Sequence, residues 1–240
     1  MGGSRIRKST AVIILIIACV CFLVLVYFKV IKLNHPGGIK GADISAYQGD
    51  IEWDVLSKKL DFVYIKATEG SSFTDEKFEY NWKNSRTTDL TVGAYHFFSY
   101  DSSGEAQAQH FIKTVGITEG MLPPAIDVEF YGDYIKNPKS ADEVKNDLKD
   151  MISALETYYG TKPVIYCTSK AYRLYGDIFG DCPLWIRNVY FMPIGRDWTF
   201  WQYSDTGELS GYSGEEKYID LDVFEGSSSD FDKLKIKTVQ

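Results

Sequence analysis

The sequence of 240 residues has few of the side chains that usually bind transition metals, with only three histidines and four cysteines. His35, His96 and His110 are scattered along the chain, and the cysteines do not have the spacing of a zinc site. We therefore expect no metal ion and no cofactor. His96 lies among aromatic residues of an apolar run, where a hydrogen-bonded core histidine is more common than a catalytic one.

The four cysteines fall into two pairs. Cys19 and Cys21 lie in a long apolar run near the N-terminus. Cys167 and Cys182 lie in the remainder of the chain, where a disulfide is permitted but not required if that part is exported. The sequence leaves their pairing open.

Acidic residues are absent from the first 38 positions, which hold five basic residues. The rest of the chain has 21 Lys and Arg against 33 Asp and Glu, a net charge of −12. An acidic domain repels the phosphate backbone. We therefore expect no nucleic-acid partner.

An uncharged apolar run covers residues 11–28 and, continued to Leu33, is long enough to span a bilayer. We predict a transmembrane helix over residues 11–33. By the positive-inside rule the basic segment 1–10 lies in the cytoplasm, and the chain beyond the linker 34–38 lies outside the cell membrane. Cleavage as a signal peptide and lipidation at Cys19 are the alternatives.

Short β-prone runs alternate with helical segments from residue 39 onward, which is typical of βα units. The predicted strands are eight in number and cover 39–45, 62–67, 91–98, 124–129, 162–168, 183–187, 198–203 and 219–224. The predicted helices cover 52–60, 75–87, 104–115, 141–158 and 169–178. We predict a TIM-like α/β barrel of eight parallel strands with about five helices over residues 39–226, followed by a C-terminal tail, 227–240.

The fourth predicted strand ends in two carboxylates, Asp127 and Glu129. Because successive strand side chains point to opposite faces, these acids share one face, and Ile126 and Val128 share the other. An acid pair needs water, a cation or a substrate, since unpaired buried carboxylates are unfavourable. The strand is therefore a candidate active site. An edge strand with solvated acids is the alternative.

In a barrel of this type, active-site residues lie at the C-terminal ends of the strands. We therefore expect acids from other strands to lie at the same end of the barrel as Asp127 and Glu129. Asp43 follows strand one, and Asp220 and Asp222 lie on strand eight. Polar and aromatic residues near the strand ends are the candidate substrate-binding residues: Tyr47, Lys66, Glu69, Tyr95, Tyr166, Trp185, Trp201 and Gln202. Aromatic faces suit the C–H faces of sugars, so the pattern predicts a carbohydrate cleft.

Several of these residues have a structural alternative. Tyr95 and Trp185 are also consistent with barrel core. Lys66 and Glu69 are equally consistent with a structural ion pair, and Asp222 with a bond to the loop backbone.

Five motifs in order resemble the lysozymes of glycoside hydrolase family 25. They are Asp43-Ile-Ser-Ala-Tyr-Gln-Gly49, Phe62-Val-Tyr-Ile-Lys-Ala-Thr-Glu-Gly70, Gly93-Ala-Tyr-His-Phe97, Ile126-Asp-Val-Glu129, and Trp201-Gln-Tyr203 followed by Ile219-Asp220. The resemblance implies an N-acetylmuramidase that cleaves β-1,4 bonds in bacterial peptidoglycan. It also implies that Glu129 is the general acid and Asp127 its partner, and that Asp43 and Asp220 are the other acids of the cleft.

We expect a monomeric hydrolase. The alternatives are a membrane-tethered barrel that binds peptidoglycan without catalysis and a scaffold for a protein partner. The Asp-x-Glu strand end is similar to that of substrate-assisted chitinases, in which the acetamido oxygen of the substrate attacks the anomeric carbon. We therefore expect retention of configuration, with inversion through a water held by Asp43 or Asp220 as the alternative.

Overall fold

The computed structural model of the chain describes residues 3–27, 37–193 and 197–237. Helix α1, Gly3–Tyr27, contains most of the apolar run. Among the described residues, however, no helix has both the length and the apolar character needed to cross a membrane. The prediction of a transmembrane helix is therefore wrong. The first part of the predicted span belongs to α1, which also contains Arg5, Arg7 and Lys8. Its last part, residues 28–33, lies outside the described ranges.

Eight strands close into a barrel, which agrees in part with the predicted fold. The strands of the sheet are β1 Ile39–Ile44, β2 Phe62–Glu69, β3 Phe73–Thr74, β4 Thr91–Phe97, β5 Ala125–Val128, β6 Val164–Thr168, β7 Leu184–Arg187, β8 Phe200–Gly207 and β9 Ile219–Phe224. The barrel follows the order β1-β9-β8-β7-β6-β5-β4-β2 and closes by pairing β1 with β2. The two-residue strand β3 pairs only with the end of β2.

Strand β9 corrects the prediction that all eight strands are parallel. It runs antiparallel to both of its neighbours, β8 and β1, whereas the other barrel pairs are parallel. The connection over residues 208–218 contains no helix. Parallel pairing needs a long crossover, usually helical, so a chain that turns back directly forms an antiparallel pair.

The described residues form seven α-helices: α1, one at each of the five positions predicted for the barrel, and one more after β9. Besides α1 they are α2 Trp53–Leu56, α3 Phe78–Ser85, α4 Gly104–Val115, α5 Ala141–Tyr159, α6 Ser169–Phe179 and α7 Ser228–Leu234. Helix α7 was not predicted. It starts at a capping box in which Ser227 and Asp230 satisfy each other's backbone N–H groups.

Apolar side chains pack in two layers. The outer layer lies between the barrel and the helices and includes Ile126 and Val128 of β5. The inner layer fills the barrel and is rich in aromatic residues, among them Phe62, Tyr64 and Phe200. The alternation predicted for β5 is therefore present, because its apolar side chains face the helices.

Helix α7 closes one end of the barrel. Its buried Phe231 packs against Phe62, at the start of β2, with ring centroids 5.6 Å apart. The same ring lies 5.1 Å from that of Phe224, at the end of β9. Because an aromatic cluster fills this end, a cleft can open only at the opposite end, where the parallel strands finish and β9 begins.

Cys167 and Cys182 are both buried and are not joined by a disulfide. Burial raises the pKa of the Cys182 thiol to about 11. The permitted disulfide is therefore not formed in this structure.

Candidate active site

A cavity of about 330 Å³ opens at the end of the barrel opposite α7. Its walls come from the C-terminal ends of β1, β2, β4, β5, β6, β7 and β8 and from the start of β9. The residues around it are mainly acids and aromatic residues: Asp43, Ile44, Ser45, Tyr47, Gln48, Lys66, Tyr95, Phe97, Asp127, Glu129, Tyr166, Trp185, Asp205, Glu216, Tyr218 and Asp220.

Asp127 and Glu129 lie at the end of β5, and both line the cavity. Asp127 is only 8% exposed. Its Oδ1 atom is buried and receives no hydrogen bond from any residue in the described ranges. A buried acceptor without a donor is unfavourable, so this oxygen is available to a donor on a ligand.

Asp43 and Asp220 form the opposite wall. They are direct partners in the antiparallel pairing of β1 with β9, which brings the end of one strand beside the start of the other. The convergence of these acids was predicted from parallel strands, but it results from the reversed direction of β9. An antiparallel strand presents its first residues where its neighbours present their last.

Gln202 on β8 connects the two walls through its side-chain amide. Its Nε2 donates a hydrogen bond to Asp43 Oδ2 at 2.7 Å, and its Oε1 accepts one from the Tyr166 hydroxyl at 3.0 Å. The same hydroxyl lies 3.4 Å from Glu129 Oε1. Gln202 is only 1% exposed and is not part of the cavity wall, so it orients other groups and does not face a substrate.

Burial raises the pKa values of the acids on the β1–β9 wall. The pKa of Asp43 rises to about 6, because desolvation outweighs the hydrogen bond from Gln202. The pKa of Asp220 rises to about 8, through desolvation first and then repulsion from Asp43. Near neutral pH, Asp43 is therefore the ionised member of the pair and Asp220 the protonated one.

Burial also raises the pKa values of the two acids on β5. For Asp127 the pKa lies well above its ordinary value because of desolvation, followed by repulsion from Glu129 and Asp43. For Glu129 desolvation again raises the pKa, and the attraction of Arg187 and the Tyr166 hydrogen bond oppose it. A carboxyl that holds its proton beside a cavity has the property required of a general acid.

The structure brings together most of the predicted site residues, but not all of them. Tyr47, Lys66, Tyr95, Tyr166 and Trp185 line the cavity with the four acids. Glu69 does not: it forms an ion pair with Lys66 at 2.8 Å. Nor does Trp201, which is buried and donates its indole N–H to the Asn188 carbonyl at 2.9 Å.

The sequence analysis missed an ion pair near the cavity. Arg187 Nη2 lies 2.8 Å from Asp205 Oδ2, and Asp205 lines the wall. The Arg187 charge lowers the pKa values of Asp43, Glu129 and Asp220. No signal in the sequence links these two residues, because their contact depends on the register of β7 with β8.

His96 is a core residue, in agreement with the preferred sequence interpretation. It is fully buried, with Nδ1 2.7 Å from Thr68 Oγ1 and Nε2 3.0 Å from Gln107 Oε1. Burial lowers the pKa of His96 to about 4, so the ring is neutral at ordinary pH. Within the residues that the structure describes, no group of His, Cys, Asp or Glu has the arrangement of a metal site.

Comparison with known proteins identifies the family of the chain. Residues 42–212 match the model of the glycosyl hydrolases family 25. The chain belongs to this family. It is therefore a glycoside hydrolase, and the family suggested by the sequence motifs is confirmed.

Curated relatives agree with this assignment. The chain is 35% identical over 207 residues to the uncharacterized protein YegX of Escherichia coli K12, an alignment that covers 82% of this chain and 73% of YegX. It is 32% identical over 213 residues to lysozyme M1 of Streptomyces globisporus, covering 80% of this chain and 69% of that enzyme.

Solved structures of the family share the fold. A family 25 glycosyl hydrolase from Bacillus anthracis superimposes with a TM-score of 0.79 at 48% identity, covering 85% of this chain and 97% of that one. A bacterial lysozyme from Streptomyces coelicolor superimposes with a TM-score of 0.72 at 31% identity, covering 83% of this chain and 98% of that one.

Proposed function

We propose that this glycoside hydrolase is an N-acetylmuramidase. It cleaves the β-1,4 bond between N-acetylmuramic acid and N-acetylglucosamine in bacterial peptidoglycan. Family membership and the similarity to lysozyme M1 support this substrate. The observation that carries the proposal is the acid pair Asp127 and Glu129, which faces a cavity lined by aromatic residues.

Glu129 acts as the general acid and protonates the leaving glycosidic oxygen. Burial raises its pKa, which favours the protonated form that a general acid needs. Arg187 and Tyr166 oppose the rise in this pKa, because they stabilise the Glu129 carboxylate that forms when the proton is transferred. The residue therefore combines burial with two stabilising neighbours for its ionised form.

Asp127 orients the acetamido group of the muramic acid residue. Its free Oδ1 atom accepts the acetamido N–H, which a carboxyl does in either protonation state. The acetamido oxygen then attacks the anomeric carbon as the bond to the leaving oxygen breaks, which gives a cyclic oxazolinium ion. Water attacks the anomeric carbon from the face that the leaving group vacated, gives its proton to the Glu129 carboxylate and displaces the acetamido oxygen. Positive charge that develops on the acetamido nitrogen is stabilised by Asp127.

Asp43 and Asp220 bind sugar hydroxyls and adjust the proton affinity of the β5 acids. If the reaction instead inverts configuration, Asp43 is the better candidate for the general base. Its pKa of about 6 leaves it ionised near neutral pH, whereas the pKa of about 8 keeps Asp220 protonated.

The test is the release of new reducing ends from purified peptidoglycan by the intact protein. Glu129→Gln removes the proton donor and is expected to reduce kcat by about 10²- to 10⁴-fold. The exposed Glu119→Gln is the control for loss of a single carboxylate and is expected to keep wild-type activity. Equal background release by wild type and Glu129→Gln, with peptidoglycan still bound, would support a binding barrel without catalysis.

We also propose that the barrel acts outside the cytoplasmic membrane, because peptidoglycan lies there. In cells that express the chain, protease added after wall removal is expected to digest the barrel while a cytoplasmic marker protein survives. If the barrel and the marker are equally protected, the proposed location is wrong.

A further inference from the structure

Asp222 lies behind the wall of the cavity and has no role in the proposed reaction so far. It is fully buried on β9, opposite Gly41 of β1 and Gln202 of β8. It does not line the cavity, but it contacts Trp185, which does. Its position therefore excludes contact with a sugar and points to a partner within the protein.

The two oxygens of Asp222 have different surroundings. Oδ1 accepts a hydrogen bond from the Trp185 indole N–H at 2.8 Å. Oδ2 is buried and receives no hydrogen bond from any donor in the part of the chain that the structure describes. In the pairing of β1 with β9, Asp222 is the diagonal neighbour of Asp43 on the same face, and the electrostatics of both acids include a hydrogen bond between the two side chains. Two carboxylates share a hydrogen bond only if one of them keeps its proton.

The neighbours of Asp222 favour the proton on Asp222 and not on Asp43. Three neighbours change the pKa of Asp222: Asp43 of β1, Asp220 of β9 and Trp185 of β7. The charge of Asp222 in turn raises the pKa values of Tyr64 on β2 and Tyr203 on β8. Asp43, in contrast, accepts a hydrogen bond from Gln202 and is attracted by Arg187. Burial raises the pKa of Asp222 well above its ordinary value, whereas the pKa of Asp43 is about 6.

We propose that Asp222 is a neutral carboxylic acid that positions Asp43, accepting the Trp185 indole N–H on one oxygen and donating its own proton to the Asp43 carboxylate from the other. Asp43 is then held by two donors, Asp222 and Gln202. Both stabilise its ionised form and fix its orientation beside Asp220. Asp222 is a positioning residue, since it does not touch the substrate.

Two variants of nearly the same shape separate this role from a general structural one. In Asp222→Asn the side-chain oxygen still accepts from Trp185, and the NH₂ group replaces the donated proton without adding charge. Asp222→Leu has neither group. The assignment rests on the proposed hydrolysis only for its kinetic readout, because protonation of Asp222 is also measurable without substrate.

The kinetic experiment measures kcat against pH on peptidoglycan. Asp222→Asn is expected to keep most of the activity and the acid limb of wild type. Asp222→Leu is expected to lose about tenfold or more in kcat, and its acid limb moves up by about one pH unit, because Asp43 loses a charge-stabilising donor. If Asp222→Asn instead moves the acid limb down by about one pH unit, the substitution has removed the negative charge of an ionised Asp222, and the proposal is overturned.

The direct experiment follows the side-chain carboxyl ¹³C resonance of Asp222 in the intact protein, assigned by its loss in Asp222→Asn. The resonance is expected at the position of a protonated acid throughout the pH range of the kinetic experiment. A resonance at the ionised position, or a titration within that range, overturns the proposal whether or not the protein hydrolyses peptidoglycan. This measurement also decides the matter if Asp222→Leu does not fold.

Discussion

Asp43 at the end of β1 lies directly opposite Asp220 near the start of β9. Side chains at directly paired positions on one face of an antiparallel pair are close neighbours, and like charges there repel. Desolvation is the main cause that raises both pKa values, and repulsion from Asp43 raises the pKa of Asp220 further. The protein therefore holds at least one proton in this pair near neutral pH, with consequences for its stability and its activity.

The first prediction concerns stability against pH. The pKa of Asp220 is raised to about 8 by folding, so the folded state binds more protons than the unfolded state between its unfolded pKa and about pH 8. Stability is fully present below the unfolded pKa and is lost as pH rises through the folded one. From about pH 6.5 to about pH 8, this group alone is expected to cost about 2 kcal/mol.

The measurement is the free energy of unfolding of wild type and Asp220→Asn in this pH range. The variant is expected to lose less stability, and its advantage is expected to grow with pH. The pKa of His96, lowered to about 4, affects stability only below about pH 6.5, so it does not disturb this window. Parallel curves for the two proteins would show that Asp220 is ionised in the folded state.

The second prediction concerns Arg187, whose positive charge lowers the pKa values of Asp43, Glu129 and Asp220. Arg187→Gln is expected to raise all three. Both limbs of the pH profile of kcat then move upward, by about half a unit to one unit. The exposed Arg173→Gln on α6 serves as the control for loss of one positive charge. A change in kcat without movement of either limb would mean that Arg187 acts only through its ion pair with Asp205.

The third prediction concerns Tyr47, which is 63% exposed at the edge of the cavity. An exposed aromatic face can stack on a sugar ring, and such contacts are worth about 1 kcal/mol. Tyr47→Ala is expected to raise KM about fivefold with little change in kcat, because the exposed ring contributes binding contact and carries no proton in the reaction. Thermal stability is expected to stay unchanged. Tyr80 on α3 is 50% exposed and lies outside the cavity, so Tyr80→Ala is expected to leave both kinetic constants unaltered.

The sequence was sufficient to locate the barrel strands and the acid pair on β5. Strand positions follow from short apolar runs between turn residues, and the placement of Asp127 with Glu129 follows from a side-chain period of two. The direction of β9 was not predictable in this way. Alternation is the same in parallel and antiparallel strands, so the sequence pattern does not report strand direction.

Two assignments failed because of local geometry. Glu69 is the last residue of β2 and lies three positions after Lys66, so a side-chain period of two does not place both on one face, and Glu69 forms an ion pair with Lys66. Trp201 and Gln202 are consecutive on β8 and point to opposite faces, so they do not share one site. Helix α7 was missed because its capping box lies in a Ser-rich stretch at the start of the segment that was assigned as a C-terminal tail, 227–240.

The most direct test of the proposed reaction is the configuration of its first product. Proton NMR in a short digest of peptidoglycan by the intact protein reports which anomer of the new reducing end forms before mutarotation. If Asp127 orients the acetamido group and that group attacks the anomeric carbon, the first product is the β-anomer. An initial α-anomer would contradict the acetamido mechanism and would make Asp43 the general base that activates water.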